Sequence, residues 1–317
     1  MPARLLVKEE SQITERPPAE LSENRDRPCW LDIADPESDD LQLAADELGL
    51  HPLALEDAHH RHQRPKIDQY DDHYFIVFYA LEEPSPSVVR EVEVSIFVKA
   101  NAIVTVHEGD FAARAAVEKR FREGKLHTTG LLLHALFDTM VDQYFDVISG
   151  MGDRVDLLES MVVGGETSDY ETSIRELFQL KRDLLRIRHL VAPERDVLNV
   201  LVRGDIRELR EPGRRVYFQD VYDHITRVTD EIDTFRELTS NVIDAHLASA
   251  SNRLNEVVKV LTSVATVLLV LTFVTGFFGQ NWEAIPYGST DLFWVSVGAM
   301  VVVGLGTAYY FRRKGWL

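Results

Sequence analysis

Cysteine is almost missing from this 317-residue sequence: Cys29 stands alone, so no disulfide framework supports the fold, and the chain suits a reducing cytosol. Basic residues are also scarce, with 34 Lys and Arg against 52 Asp and Glu and a formal net charge of −18. The deficit lies in positions 1–250, since the remainder holds more basic than acidic groups. Duplex binding needs a basic face, so this balance argues against a nucleic-acid partner. It favours cations, with plain solubility as the bland explanation. There is no P-loop, no Gly-x-Ser-x-Gly and no His-Glu-x-x-His, which points away from an enzyme and assigns no catalytic residue and no catalytic cofactor. No apolar segment opens the chain, so no cleaved signal peptide is expected. Finally, Gly and Pro are missing from the whole stretch between Gly213 and Gly276. A helix of that length is a rod of about 93 Å at about 1.5 Å per residue.

What is present in force is apolar, and it comes late. One run extends from Val257 to Phe278 and a second from Leu292 to Phe311. Each is long enough as a helix to cross a hydrocarbon core of roughly 30 Å. Both are apolar on every face, which fits lipid better than a pair of buried core helices. The short segment between them allows only a tight hairpin and carries Glu283 and Asp291 but no Lys or Arg. Arg253 and Lys259 precede or open the first run, and Arg312, Arg313 and Lys314 follow the second. That asymmetry predicts a multi-pass protein with both termini cytoplasmic, and the membrane expected for it is the cell inner (plasma) membrane. The last three cations are most simply a topological anchor at the lipid surface.

Positions 1–250 read as one or two packed domains. Leu5-Leu6-Val7 predicts a short edge strand and Trp30 to Ile33 another. Ser38 stands in N-cap position for a helix over Asp39 to Leu48 that stops at Gly49, and a short helix follows His51-Pro52. His73 to Leu81, Val92 to Lys99 and Ala102 to His107 are rich in Val, Ile, Phe and Tyr, with Pro84, Pro86 and Asn101 in the breaks, and predict a small antiparallel sheet. From Phe111 the period changes to about 3.6 and the rest is helical. Leu131 to Val163 predicts one long helix closed by Gly164-Gly165. Ser168 and Glu171 give a capping box, Pro193 an interruption and Pro212-Gly213 a stop. In the breaker-free rod, Val221, Ile225, Val228, Ile232 and Phe235 form a seam for copies or neighbours. The rod continues into the first apolar run, so motion of the body would reach the membrane as tilt or rotation.

Two spans alone cannot enclose a polar path, so conduction would require an oligomer. At about 100° per residue, Asn255, Val258, Leu261, Thr262, Ala265, Leu269, Thr272 and Gly276 fall on one stripe. In a ring of such helices, leucines would form a constriction able to close by dewetting, above an inner ring of Asn255. The alternative is that Thr and Ser bond only to their own helix backbone. Gly279-Gln280-Asn281 ends the span: Gly279 lets the chain turn out of the helix, and Asn281 offers a neutral carbonyl to the water shell of a hard cation such as Mg²⁺. Glu283, two positions further, would concentrate cations at the mouth.

These residues resemble the CorA-type metal-ion transporters, two-span proteins with a Gly-Met-Asn signature. The resemblance rests on His51 to Asp57, His62-Gln63-Arg64-Pro65-Lys66, Tyr217 to His224, and Ser251 to Gly279. It implies an α+β chain: a cytoplasmic α/β/α domain with a helical arm over 1–213, a stalk helix over 214–256, and a two-span transmembrane pore hairpin over 257–317. Five copies would make a funnel-shaped homopentamer in membrane lipid. The cargo would be a divalent cation, Mg²⁺ first and Co²⁺ or Ni²⁺ beside it, which would also act as regulatory ligand. Carried over by position, the pore residues are Asn255, Val258, Leu261, Leu269, Thr272, Gly279, Gln280 and Asn281. The regulatory metal site between subunits would use Asp220 with an acid near Pro84, for which Glu82 and Glu83 are the candidates.

Three departures bear on selectivity. Gln280 replaces the signature methionine, Val270 stands where many members have a kinking proline, and Tyr287 follows Pro286 where an acid is usual. A ZntB-like zinc or transition-metal transporter, or a membrane metal sensor that conducts nothing, are the alternatives. His59, His60 and His62 have the donor chemistry for zinc, but sit in a charged connection where a packing role is the simpler reading.

Overall fold

A computed structural model describes residues 3–9, 12–24, 26–85, 88–164, 170–204, 214–280 and 288–316. The chain divides into two compact units, Met1–Asn241 and Val242–Leu317.

In the first unit, segments rich in β-branched and aromatic residues form strands because such side chains pack well on a pleated surface. The strands are β1 (Arg4–Lys8), β2 (Ile13–Arg16), β3 (Cys29–Ile33), β4 (Lys66–Gln69), β5 (Tyr74–Ser85), β6 (Val88–Val98) and β7 (Ala102–His107). They make one seven-stranded sheet in the order β2-β1-β3-β7-β6-β5-β4. The pairs are antiparallel, apart from β3 and β7, which run parallel with Cys29 opposite Ala102 and Ile33 opposite Val106. The small antiparallel group expected from the sequence is therefore half of a larger mixed sheet. The Leu5–Val7 patch, expected at an edge, is internal, since β2 folds back onto β1 and covers it. Pro84 does not end β5: the register shifts between Glu82 and Ser85, and this irregularity accommodates a residue without an N–H.

The helices are α1 (Asp39–Leu48), α2 (Pro52–His59), α3 (Ala112–Arg122), α4 (Thr129–Gly164), α5 (Tyr170–Arg203), α6 (Arg214–Phe278) and α7 (Thr290–Arg313). α1 starts after Ser38 and stops at Gly49, whose φ of 65° is the left-handed cap that glycine adopts freely. The Ser38 hydroxyl makes no capping bond. Pro193 lies inside α5 rather than breaking it, an interior proline that the packing of α5 against α4, β4 and β5 tolerates. Ser168, Gly165, Pro86, Pro212 and Gly213 lie outside the described residues.

Alternate residues of a strand face opposite ways. Leu5, Val7, Leu31, Phe75, Val77 and Phe97 join Leu41, Ala44, Leu48 and Ala54 of α1 and α2 in one buried cluster. On the other face Trp30 meets Phe121 of α3 edge-on at 6.2 Å, and Phe78 meets Phe137 of α4 at 4.7 Å. With helices on both sides, β5 is buried from Tyr74 to Leu81. Val221, Ile225, Val228 and Ile232 of α6 are fully buried. Their neighbours are helices of the same chain. Gly152 of α4 lies so close to Phe235 that a Cβ there would overlap the ring. Arg188 of α5 pairs with Asp233 at 2.6 Å.

The second unit holds the rest of α6 and all of α7. α6 runs unbroken for 65 residues, about 98 Å. Leu271 packs where a Cβ on Gly304 would stand 3.2 Å away, and the Thr275 hydroxyl approaches Met300 Sδ at 3.9 Å.

Candidate functional site

Within the second unit, α6 and α7 are both long and apolar enough to cross a membrane. Their apolar side chains are left uncovered: Leu269 keeps 70% of its surface, Leu261 67% and Val258 49%. Asn255 and Thr272 are exposed as well. The helix thus presents the whole stripe from Asn255 to Thr272 without covering any of it from its own chain. The Thr272 hydroxyl donates to the Leu268 carbonyl at 2.8 Å. That bond uses its hydrogen and leaves the oxygen's lone pairs as acceptors, so back-bonding and an outward role as acceptor are compatible.

At the end of α6 the Gly279 N–H still donates to the Thr275 carbonyl at 2.9 Å. α6 ends at Phe278 and Gly279 follows in a turn, without adopting left-handed backbone. A Cβ there would stand 3.2 Å from the Thr275 carbonyl, and the missing side chain relieves that crowding. Gln280 follows. Asn281 and Glu283 lie outside the described residues.

The proposed regulatory acids sit in the first unit. Glu82, near the end of β5, is already engaged: it accepts the Ala112 N–H at the start of α3 at 2.6 Å and faces Arg90 at 3.5 Å. Glu83 is exposed and reaches Gly150 of α4, its Oε2 3.0 Å from where a Cβ would be. Asp220 is exposed on α6. The structure also brings up two acids that sequence reasoning missed, Asp138 and Asp142 of α4. Burial first, and then the charges of Asp138 and Asp220, push the Asp142 carboxyl above its usual range, while His224 opposes them. Burial pushes the nearby His134 down, against the pull of Asp138 and Asp220. The signal available in sequence was the four-position spacing of Asp138 and Asp142, which puts both on one helix face. Among the described residues no three His, Cys, Asp or Glu converge to hold a metal. That includes the histidine cluster, in which His60 only approaches Glu56 at 4.0 Å.

An α/β/α body whose chain continues through one 65-residue helix into an apolar hairpin defines a membrane protein of the two-span, stalk-linked class. The family model described as CorA-like Mg2+ transporter protein matches residues 25–313. The chain belongs to that family. It is 34% identical over 301 residues to the cobalt/magnesium transport protein CorA of Thermotoga maritima, covering 92% of this chain and 84% of that protein. It is 31% identical over 300 residues to the putative metal ion transporter YfjQ of Bacillus subtilis, covering 90% and 89%. The fold matches the complete structure of the CorA magnesium transporter from Methanocaldococcus jannaschii with a TM-score of 0.86, at 22% identity and over 100% and 99% of the two chains.

Proposed function

We propose that this protein carries divalent metal ions, Mg²⁺ foremost and Co²⁺ beside it, through a central pore built from copies of itself. The observation that carries the reading is the uncovered stripe on α6: a regularly spaced row of polar and apolar side chains with no partner surface in one chain. A pentameric ring would cover it. Asn255 and Thr272 then face the path as acceptors for a hydrated ion, Leu261 and Leu269 form the dewetting constriction, and Val258 widens it toward the body. Gly279, Gln280 and Asn281 would form the entrance, with Glu283 outside it to gather cations. Both termini are placed on the cytoplasmic side of the inner membrane, with lipid against the outer faces of α6 and α7.

Closure is assigned to metal held between subunits. Asp220 is the first acid and Glu82 or Glu83 the second; Glu82 also accepts the Ala112 N–H and faces Arg90. Bound divalent ion would offset the repulsion around Asp138, Asp142 and Asp220 and hold neighbouring bodies together. No catalytic step is part of this function.

The test is ion flux into proteoliposomes of the purified protein with Mg²⁺, Co²⁺, Ni²⁺ and Zn²⁺ in parallel and an imposed pH gradient as a variable. Potential-driven Mg²⁺ entry that Asn281→Ala abolishes is the expected result. Zinc flux without Mg²⁺ would assign the Gln280 variant to transition metals. No flux of any ion would leave a sensor.

A further inference from the structure

The face of the sheet that carries the core cluster changes character along β6. Phe97 is part of that cluster, but the residues two, four and six positions before it on the same face are Ser95, Glu93 and Glu91. A polar row on an inward face calls for a partner. Over it opens a cavity of about 930 Å³, half open to solvent and bordered by the end of α2, the 61–65 loop and His189 and Leu190 of α5. That volume lies in the range of small-molecule sites.

Glu93 is held in this cavity in an unusual way. The backbone N–H groups of His62 and Gln63 donate to its Oε2 at 2.5 and 3.3 Å, and the Tyr79 hydroxyl shares its one hydrogen between Oε2 at 3.1 Å and the closer Gln63 carbonyl at 2.7 Å. His62 adopts a φ of 70°, the one positive value at a non-glycine position among the described residues. Left-handed backbone at such a residue is uncommon and persists only where surrounding structure imposes it. Two backbone N–H groups and a shared hydroxyl thus converge on one carboxylate oxygen, while among the described residues Oε1 receives no hydrogen bond and is not sealed by protein.

Of the other charges of the lining, Arg64 has no acidic partner among the described residues and the rest are paired. Arg61 pairs with Glu108, Arg186 with Glu91 at 2.6 Å, and Arg90 with Glu82 at 3.5 Å. No anion site is left among them. Arg64 is exposed. A metal ion is excluded by the donor set, since one carboxylate oxygen cannot replace a hydration shell and no three ligands converge among the described residues. The remaining walls, Pro36, Ala58, Val106 and Leu190, are apolar. The body around them is strongly acidic and draws cations.

We propose that this cavity binds an aliphatic amine, a protonated ammonium group on a short methylene chain, with Glu93 Oε1 as its acceptor. The ammonium donates a charge-assisted hydrogen bond to Oε1, which the His62 loop holds in place beforehand. The methylenes lie against Ala58, Val106 and Leu190.

The experiment is calorimetric titration of the full-length protein in detergent with 1,4-diaminobutane and spermidine, and with butane-1,4-diol as the uncharged control. Saturable binding of the amines and none of the diol is expected. Glu93→Gln keeps an oxygen for the two loop N–H groups but removes the charge, and should weaken binding by at least about tenfold. Leu190→Trp fills the cavity from α5 while leaving Glu93 intact, and should weaken binding comparably; it decides the matter if the first variant does not fold. No saturable binding of either amine, or unchanged affinity in either folded variant, would overturn the assignment and reduce any signal to counterion attraction by the acidic surface.

Discussion

In the body, Leu136 of α4 and Leu180 of α5 are completely enclosed by their own chain, whereas Leu261 and Leu269 of the hairpin keep most of their surface uncovered. Polar groups differ in the same sense. Asp32 of the body is surrounded by Thr105 at 2.6 Å, His107 at 3.0 Å and Arg114 at 3.5 Å, all from distant elements. In the hairpin, Ser263, Thr266, Thr272 and Thr275 each donate to a carbonyl one turn back in the same helix. A region that satisfies its polar groups locally and leaves its apolar ones open is suited to lipid and to copies of itself. One that buries its apolar groups and binds polar ones such as Asp32 through long-range contacts forms its core within a single chain.

The sharpest way to break this comparison is to cut the same kind of contact in each region. Phe78→Ala, which removes a fully buried ring packed on Phe137, should cost the body about 3–5 kcal/mol. Leu269→Ala should leave body stability unchanged and alter flux instead. Cys29 supplies the readout. It is the only cysteine, it is buried, and burial pushes its thiol up to about 12, so its modification in urea reports opening of the body.

Next in size is a pH effect confined to the body. Glu194 is fully buried: it accepts the Tyr79 N–H at 2.8 Å and lies 2.9 Å from the Tyr144 hydroxyl, which also donates to the Tyr79 carbonyl. Burial raises its pKa well above the ordinary carboxylate range, against the two hydrogen bonds. Only the protonated acid satisfies every group, by donating to the Tyr144 oxygen. A folded-state pKa above the unfolded one means that its stabilisation is complete at low pH and is lost as pH rises from the ordinary glutamate value through the raised one. The body should lose about 1.4 kcal/mol per pH unit over that window. Glu194→Gln, which can make the same bonds, should flatten the slope. An unchanged slope would mean that Glu194 is charged in the folded chain.

Two smaller effects separate the acids near the proposed gate. Glu82→Ala removes the acceptor of the Ala112 N–H and should cost about 1 kcal/mol, measured by the same Cys29 protection in urea. Asp220→Asn should stay within about 0.5 kcal/mol of the parent, as an exposed site does. Its expected effect is on closure: flux that resists shut-off by internal Mg²⁺. If Asp220→Asn instead destabilised the body while closure stayed normal, the regulatory role would pass to another acid.

The sequence was most legible where structure depends on near neighbours. The long stretch without Gly or Pro is one helix, the seam from Val221 to Ile232 is its buried face, and Gly49 ends α1. It was least legible where the deciding partner is far away along the chain. β2 and β4, both short, have no apolar run of their own and exist because β1 and β5 offer open edges. Pro84 and Pro193 look like stops but are carried by a register shift and by helix packing. Of the site, the α6 stripe follows from periodicity. The approach of Asp138 and Asp142 to Asp220 does not, since it depends on α4 and α6 lying together.

By itself, then, the sequence determined the extent of α1 and α6, the two apolar runs and the spacing of the α6 stripe, because periodicity and hydrophobic length are properties of adjacent residues. Tertiary structure alone decided the order of the seven strands, the parallel join of β3 to β7, the engagement of Glu82 by α3 and the clamp on Glu93. Each of these pairs groups that are far apart in the chain. Whether they meet depends on how whole elements pack, which no local pattern encodes.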